Sequence, residues 1–138
     1  MSSLPESRAR IVFGVLNALS ALILFTGVWL IEPRYWVVDL PATLLALVEL
    51  ASAVALFAKL PWALRALSIA AWITFAGGLL LVGLIALTMV FLRTIHGEDG
   101  MVATLVSGLV IALIAPYTLL LPTVELLWLK RRASESTP

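Results

Sequence analysis

Four long apolar runs constrain this chain more than any other feature of its sequence. They cover residues 11–31, 41–58, 66–92 and 101–129, and short polar segments separate them. An apolar helix of about 20 residues crosses the hydrocarbon core of a bilayer, where only helices and closed barrels satisfy their own backbone hydrogen bonds. We therefore expect an all-α membrane protein in which four transmembrane helices form an up-down bundle, in a single domain of residues 1–138.

The composition agrees with this class and excludes several others. Apolar residues make up 62% of the chain and charged residues 12%, whereas soluble domains contain about 45–50% and about 25%. The net charge is +1 and the basic residues lie at chain ends and turns, so we expect a lipid bilayer and no nucleic acid as partner. There is no cysteine, and the loop group His96, Glu98 and Asp99 lacks the spacing of a metal motif. We expect no cofactor and no bound metal.

Prolines mark the predicted ends of the helices. Pro33 ends the first helix, and Pro41 begins the second, because proline is favoured in a first turn. The third and fourth runs would each be about 40 Å long at 1.5 Å per residue, which exceeds a core of about 30 Å. Pro116 and Pro122 predict a kink in the fourth helix, and residues 133–138 are expected to form a disordered tail.

Basic residues predict the orientation of the helices. Positively charged residues concentrate on the cytoplasmic side of membrane proteins. In a four-span arrangement only Arg34 and Arg93 lie on one side. We therefore expect both termini on the cytoplasmic side of a plasma (bacterial inner) membrane, with an uncleaved first helix. The basic residues of the other side are Arg8, Arg10, Lys59, Arg65, Lys130, Arg131 and Arg132.

Glu49 places a carboxyl group near the middle of the second apolar run. A charge at that depth costs roughly 2.5–3.5 kcal/mol to insert. Glu49 shares a helix face with Ala46 and Ala53, and small residues at this spacing favour close helix contacts. We therefore expect Glu49 to face protein rather than lipid. Two roles are open: a proton or ion site, because a low dielectric favours the neutral acid, or a structural hydrogen bond within the bundle.

Three other polar residues in the apolar runs are candidates for the same site. Asn17 and Thr74 are potential hydrogen-bond partners of Glu49, and Asn17 is expected to hold two helices together. Glu125 lies five residues before Lys130, so we expect it to reach outward and form an ion pair near the membrane surface. A basic cluster ends the fourth helix and either binds anionic lipid headgroups or serves only as a topological stop. Its members are Lys130, Arg131 and Arg132.

Two local patterns bear on how the helices pack. Gly77 and Gly78 are expected to lie where another helix comes close, because small residues permit that approach. The segments PATLLALVEL (residues 41–50) and PYTLLLPTVEL (residues 116–126) share P-x-T-L-L and V-E-L when one residue is inserted. This similarity indicates either a parallel repeat of two helical hairpins or chance in a leucine-rich chain.

The sequence thus favours a small non-enzymatic integral membrane protein that works in a homo-oligomer or as a subunit of a larger membrane complex. The alternative is an oligomeric proton- or cation-linked transporter or channel, with Glu49 as its intramembrane site. A membrane-embedded enzyme that uses Glu49 as an acid is a third possibility. Water access to the Glu49 carboxyl group would favour a transport role. A Glu49 that is shielded from water and hydrogen-bonded would favour a packing role.

Overall fold

A computed structural model describes residues 6–30, 36–97 and 100–135, and these residues are helical apart from short turns. The helices are α1 (Glu6–Leu30), α2 (Trp36–Phe57), α3 (Ala63–His96), α4 (Gly100–Ala115) and α5 (Leu121–Glu135), with a π-helical turn (Pro116–Leu120) between the last two. Four segments are long and apolar enough to cross a membrane, with mean hydropathies from 2.0 to 2.5. They are Glu6–Leu30, Asp39–Phe57, Ala63–Ile95 and Gly100–Ser134. The all-helical class and the number of long apolar helices are confirmed.

Several helix boundaries differ from the predicted ones. α2 begins at Trp36, so Pro41 lies inside the helix and not at its start. Pro41 is the sixth residue of α2, beyond the four whose N–H groups lack a partner within the helix. Because proline has no backbone N–H, it removes one hydrogen bond from this helix. α5 continues to Glu135, so the predicted tail is wrong for residues 133–135. The rest of that tail, residues 136–138, and the loop acids Glu98 and Asp99 lie outside the described residues.

The end of α2 is closed by a local hydrogen-bond motif. Lys59 has a positive φ of 53°, and its N–H donates to the Leu56 carbonyl. The next N–H, that of Leu60, donates to the Ala55 carbonyl over 3.0 Å. This is the Schellman pattern, which satisfies carbonyls that a helix end leaves without partners. It stops α2 without a glycine and turns the chain toward α3.

The fourth apolar segment is interrupted at its prolines. Pro116 and Pro122 cannot donate the i to i−4 hydrogen bonds of an α-helix. Between them, the Leu121 N–H donates to the Pro116 carbonyl, five residues back, which is the hydrogen bond of a π-helix. The Thr118 hydroxyl donates to the Ile114 carbonyl over 3.0 Å. The expected irregularity thus takes the form of a single wide turn.

The chain divides into two compact units. The first contains Met1–Ala71 and Glu125–Pro138. In it α1 and α2 run antiparallel, because Asn17 contacts Ser52 while Gly14, one turn earlier, faces Phe57, one turn later. Its apolar core is formed by Ala9, Phe13, Ala55, Leu56, Ala63 and Leu67, with Trp128 and Leu129 of α5 packed against it.

The second unit contains Trp72–Val124. Here α3 lies close to α4 and the π-helical turn, since a Cβ on Gly78 would lie 2.6 Å from the Thr118 carbonyl oxygen. The close approach predicted at Gly78 is confirmed. Within this chain the same prediction is wrong for Gly77, because a Cβ there would meet nothing within 4 Å outside its own stretch of α3. Adjacent residues on a helix are about 100° apart, so only one of the two glycines can face the same neighbour. That all 138 residues form one domain stays a prediction.

Candidate intramembrane carboxyl site

Glu49 is buried in the first unit. Its exposed fraction is 3%, and Ala46 and Ala53 on the same helix face are equally buried. Leu44, five residues before it and on the opposite face, is 54% exposed. The stripe of small residues therefore indicated the correct face of α2. Burial of this kind is rare for a carboxyl group unless protein contacts or a bound ion compensate it.

Asn17 joins α1 to α2 through a side-chain hydrogen bond. Its Nδ2 donates to Ser52 Oγ over 3.1 Å, and both side chains are fully buried. A helix-to-helix role was predicted for Asn17, but the candidate partner was Glu49 and not Ser52. Ser52 was missed as a partner because the register between two helices is not written in the sequence of either helix. It lies three residues after Glu49, on the same face of α2.

Glu125 is the largest departure from expectation at this site. It is 2% exposed, and the predicted ion pair with Lys130 or Arg131 is absent among the described residues. The helical phase explains the difference, since five residues at 100° each place Lys130 about 140° around α5 from Glu125. Trp128 and Leu129, three and four residues after Glu125, pack against the core of the first unit. They hold this face of α5 toward protein.

Glu49 and Glu125 lie close enough for the charge of one to act on the other. Each comes from a V-E-L sequence of the two similar segments. Nine residues separate Pro116 from Glu125, against eight between Pro41 and Glu49. The π-helical turn lies in the longer segment, and its i to i−5 hydrogen bond accommodates one more residue than an α-turn does. Whether the shared motif reflects a repeat or chance stays open.

Thr74 does not belong to the same unit as these residues. It is 7% exposed and lies on the part of α3 that belongs to the second unit. Glu49, Asn17 and Glu125 belong to the first unit. A contact between Thr74 and Glu49 therefore stays a prediction.

The three basic residues at the end of α5 differ in their contacts. Lys130 and Arg131 are exposed, as a role toward lipid headgroups requires. Arg132 instead bonds to Glu6 at the start of α1, with 2.5 Å between Nη2 and Oε2. Its guanidinium also lies 5.8 Å from the centre of the Trp128 ring, within the range of a cation–π contact. Arg132 is thus engaged within the protein.

The possible ligand atoms of the buried site are all oxygens. Two carboxyl groups, one amide oxygen and one hydroxyl are contributed by Glu49, Glu125, Asn17 and Ser52. Among the described residues no group of three or more His, Cys, Asp or Glu side chains could hold a metal ion. Such a set suits a proton or a hard cation better than a transition metal.

The second unit has a groove of its own, with a volume of about 510 Å³. It is lined by Arg93, Gly97, Met101, Thr104 and Leu105. None of the buried acids lines it, so we place the candidate chemistry at Glu49 and Glu125.

No family model, curated protein or solved structure matches this chain.

Proposed function

We propose that this protein is an integral protein of the plasma (bacterial inner) membrane that moves a proton or a cation across it. The observation that supports this is the pair of buried acids, Glu49 and Glu125, which interact electrostatically inside a chain of apolar helices. Ionisable residues within membrane helices are rare and commonly mark proton or ion pathways. The burial of Glu49 alone agrees with a packing role by the criterion given above. The second buried acid, which was not expected at this position, is the reason to favour transport.

The charges of the pair explain why a mobile ion is needed. Two carboxylates that share a buried site repel each other, and one negative charge must be compensated. No salt bridge from a described Lys or Arg reaches Glu125. A bound proton or cation provides the compensation, and its exchange between the two sides of the membrane is transport.

We propose that both termini are cytoplasmic. The bond between Glu6 and Arg132 brings the start of α1 to the end of α5, which supports an even number of crossings. Seven of the nine basic residues then lie on the side of the termini, which is the cytoplasmic side by the positive-inside rule.

A second candidate function is that of a packing subunit in a homo-oligomer or a larger membrane complex. Gly77 and Gly83 on α3 are exposed, and no described atom lies within 4 Å of a Cβ at either position. Small residues on an outward face allow another helix to approach closely. Disulfide cross-linking of a Gly83→Cys variant in membranes would test this. A cross-linked dimer supports the assembly, and the exposed Leu105→Cys variant is the control.

The test of transport is flux in proteoliposomes that carry a proton or a sodium gradient. The unmodified protein should dissipate one of the gradients, whereas Glu49→Gln and Glu125→Gln should not. Glutamine keeps the shape of the acid but removes the negative charge and the titratable proton. Asp39→Asn is the matched control, because it makes the same type of change at the partly exposed start of α2, and it should keep the flux. A well-folded parent protein without flux of either ion would contradict transport and favour the packing role.

A further inference from the structure

Two buried side-chain oxygens of the first unit lack a hydrogen-bond donor among the described residues. Asn17 Nδ2 is used on Ser52 Oγ. Asn17 Oδ1 and Glu125 Oε1 are buried and accept no hydrogen bond from any described residue. Buried acceptors normally have a partner, and an exception calls for an explanation. Here the two oxygens come from different helices, α1 and α5.

One hydrogen bond, the helical spacing and an electrostatic interaction relate these oxygens to Glu49. Ser52 follows Glu49 by three residues, so the two side chains lie on one face of α2. Asn17 is bonded to Ser52, and Glu125 interacts with Glu49. α1, α2 and α5 therefore each contribute buried, oxygen-bearing side chains to the first unit.

We infer that this cluster binds a small hard monovalent cation of the sodium class, with Asn17 Oδ1 as its neutral oxygen ligand beside the two carboxyl groups. The inference rests on the proposed ion-binding role of Glu49 and Glu125, and it specifies the ion. A proton binds to a carboxylate and does not need an amide ligand. A hard cation takes several oxygen ligands of mixed charge, including carboxylate and amide oxygens. Four side chains with two carboxyl groups are few for Ca²⁺, which takes 6–8 oxygen ligands.

The hydrogen bond to Ser52 gives Asn17 its orientation. An amide that donates through Nδ2, as Asn17 does to Ser52 Oγ, presents Oδ1 on its other side. Ser52 therefore acts as a positioning residue that keeps the oxygen of Asn17 available to the cation.

The test is thermal unfolding of the purified protein in detergent, with NaCl replaced stepwise by choline chloride at constant ionic strength. A ligand that binds only the folded state raises the melting temperature with its concentration. Sodium should raise the melting temperature of the parent protein, and Asn17→Ala should lose most of that rise. Phe13→Leu is the matched control. It weakens packing one turn away on α1, where Phe13 contacts Trp128, and it should keep the sodium response.

A second variant covers the case in which Asn17→Ala does not fold. Asn17→Asp keeps the size of the side chain and an oxygen ligand, so it should fold and respond to sodium, whereas Glu125→Gln should respond only at higher sodium concentrations. The inference is overturned by a parent protein that ignores sodium, by one that responds to CaCl₂ alone, or by an Asn17→Ala variant with an unchanged response. A parent protein whose melting temperature does not depend on sodium can still carry protons in the flux assay. That result would contradict the sodium site and would leave the proposed transport function supported.

Discussion

Asn17 Nδ2 on α1 donates a 3.1 Å hydrogen bond to Ser52 Oγ on α2, and both residues are fully buried. This bond fixes the register of the two helices beside Glu49. Hydrogen bonds between membrane helices contribute about 0.6 kcal/mol on average and up to about 1.7 kcal/mol.

We predict that Ser52→Ala lowers the free energy of unfolding by about 1 kcal/mol, because the buried Asn17 amide loses its partner. Reversible unfolding in mixed micelles measures this value. Ser20→Ala on α1 changes the same residue type at a half-buried position and should have little effect. Equal losses in the two variants would show that the bond between Asn17 and Ser52 does not stabilise the fold.

The two adjacent glycines of α3 should respond differently to the same substitution. At Gly78 a Cβ would lie 2.6 Å from the Thr118 carbonyl oxygen, whereas at Gly77 it would meet no described atom within 4 Å. Gly78→Ala should therefore cost about 1–3 kcal/mol, as overpacking does, and Gly77→Ala should be neutral or stabilising, since alanine is the better helix former. Unfolding curves of the two variants make the comparison. A neutral Gly78→Ala variant would mean that α3 does not lie against the π-helical turn.

The ion pair between Glu6 and Arg132 should be weak and salt-dependent. Both side chains are partly exposed, and exposed pairs contribute about 0.2–1 kcal/mol. A double-mutant cycle of Glu6→Gln and Arg132→Gln should give a coupling energy in this range that falls in high salt. A cycle with Lys130→Gln in place of Arg132→Gln is the control and should give no coupling. A coupling insensitive to salt would contradict the partly exposed position of this pair.

Both ends of the chain should be inaccessible from outside the cell. Cysteines introduced at the exposed positions Ser7 and Ser134 should be protected from an impermeant thiol reagent in intact cells, whereas one at Thr94, near the end of α3, should react. The reverse pattern would invert the proposed orientation, and labelling of only one terminus would contradict an even number of crossings.

Much of the fold was predictable because a bilayer leaves few choices for a long apolar segment. The face of Glu49 was also predictable, since the small residues around it repeat with the period of a helix. The predicted ion pair of Glu125 was wrong because Lys130 is near Glu125 along the chain but lies on another side of α5. The partner of Asn17 was not predictable, because the register between α1 and α2 depends on packing such as that of Phe57 against Gly14. Two prolines indicated an irregular fourth helix, but they did not specify a π-helical turn.

The central claim is that Glu49 and Glu125 form one buried site, and a double-mutant cycle on the stability of the protein tests it most directly. Residues in contact typically show coupling energies of about 0.5–3 kcal/mol, whereas distant sites add within about 0.3–0.5 kcal/mol. The free energy of unfolding should be measured for the parent, Glu49→Gln, Glu125→Gln and the double variant, with Asp39→Asn replacing Glu49→Gln in a control cycle. We predict a coupling above about 0.5 kcal/mol for the acid pair and additivity in the control. Additive effects of Glu49→Gln and Glu125→Gln would show that the two acids do not share a site and would contradict the proposed mechanism.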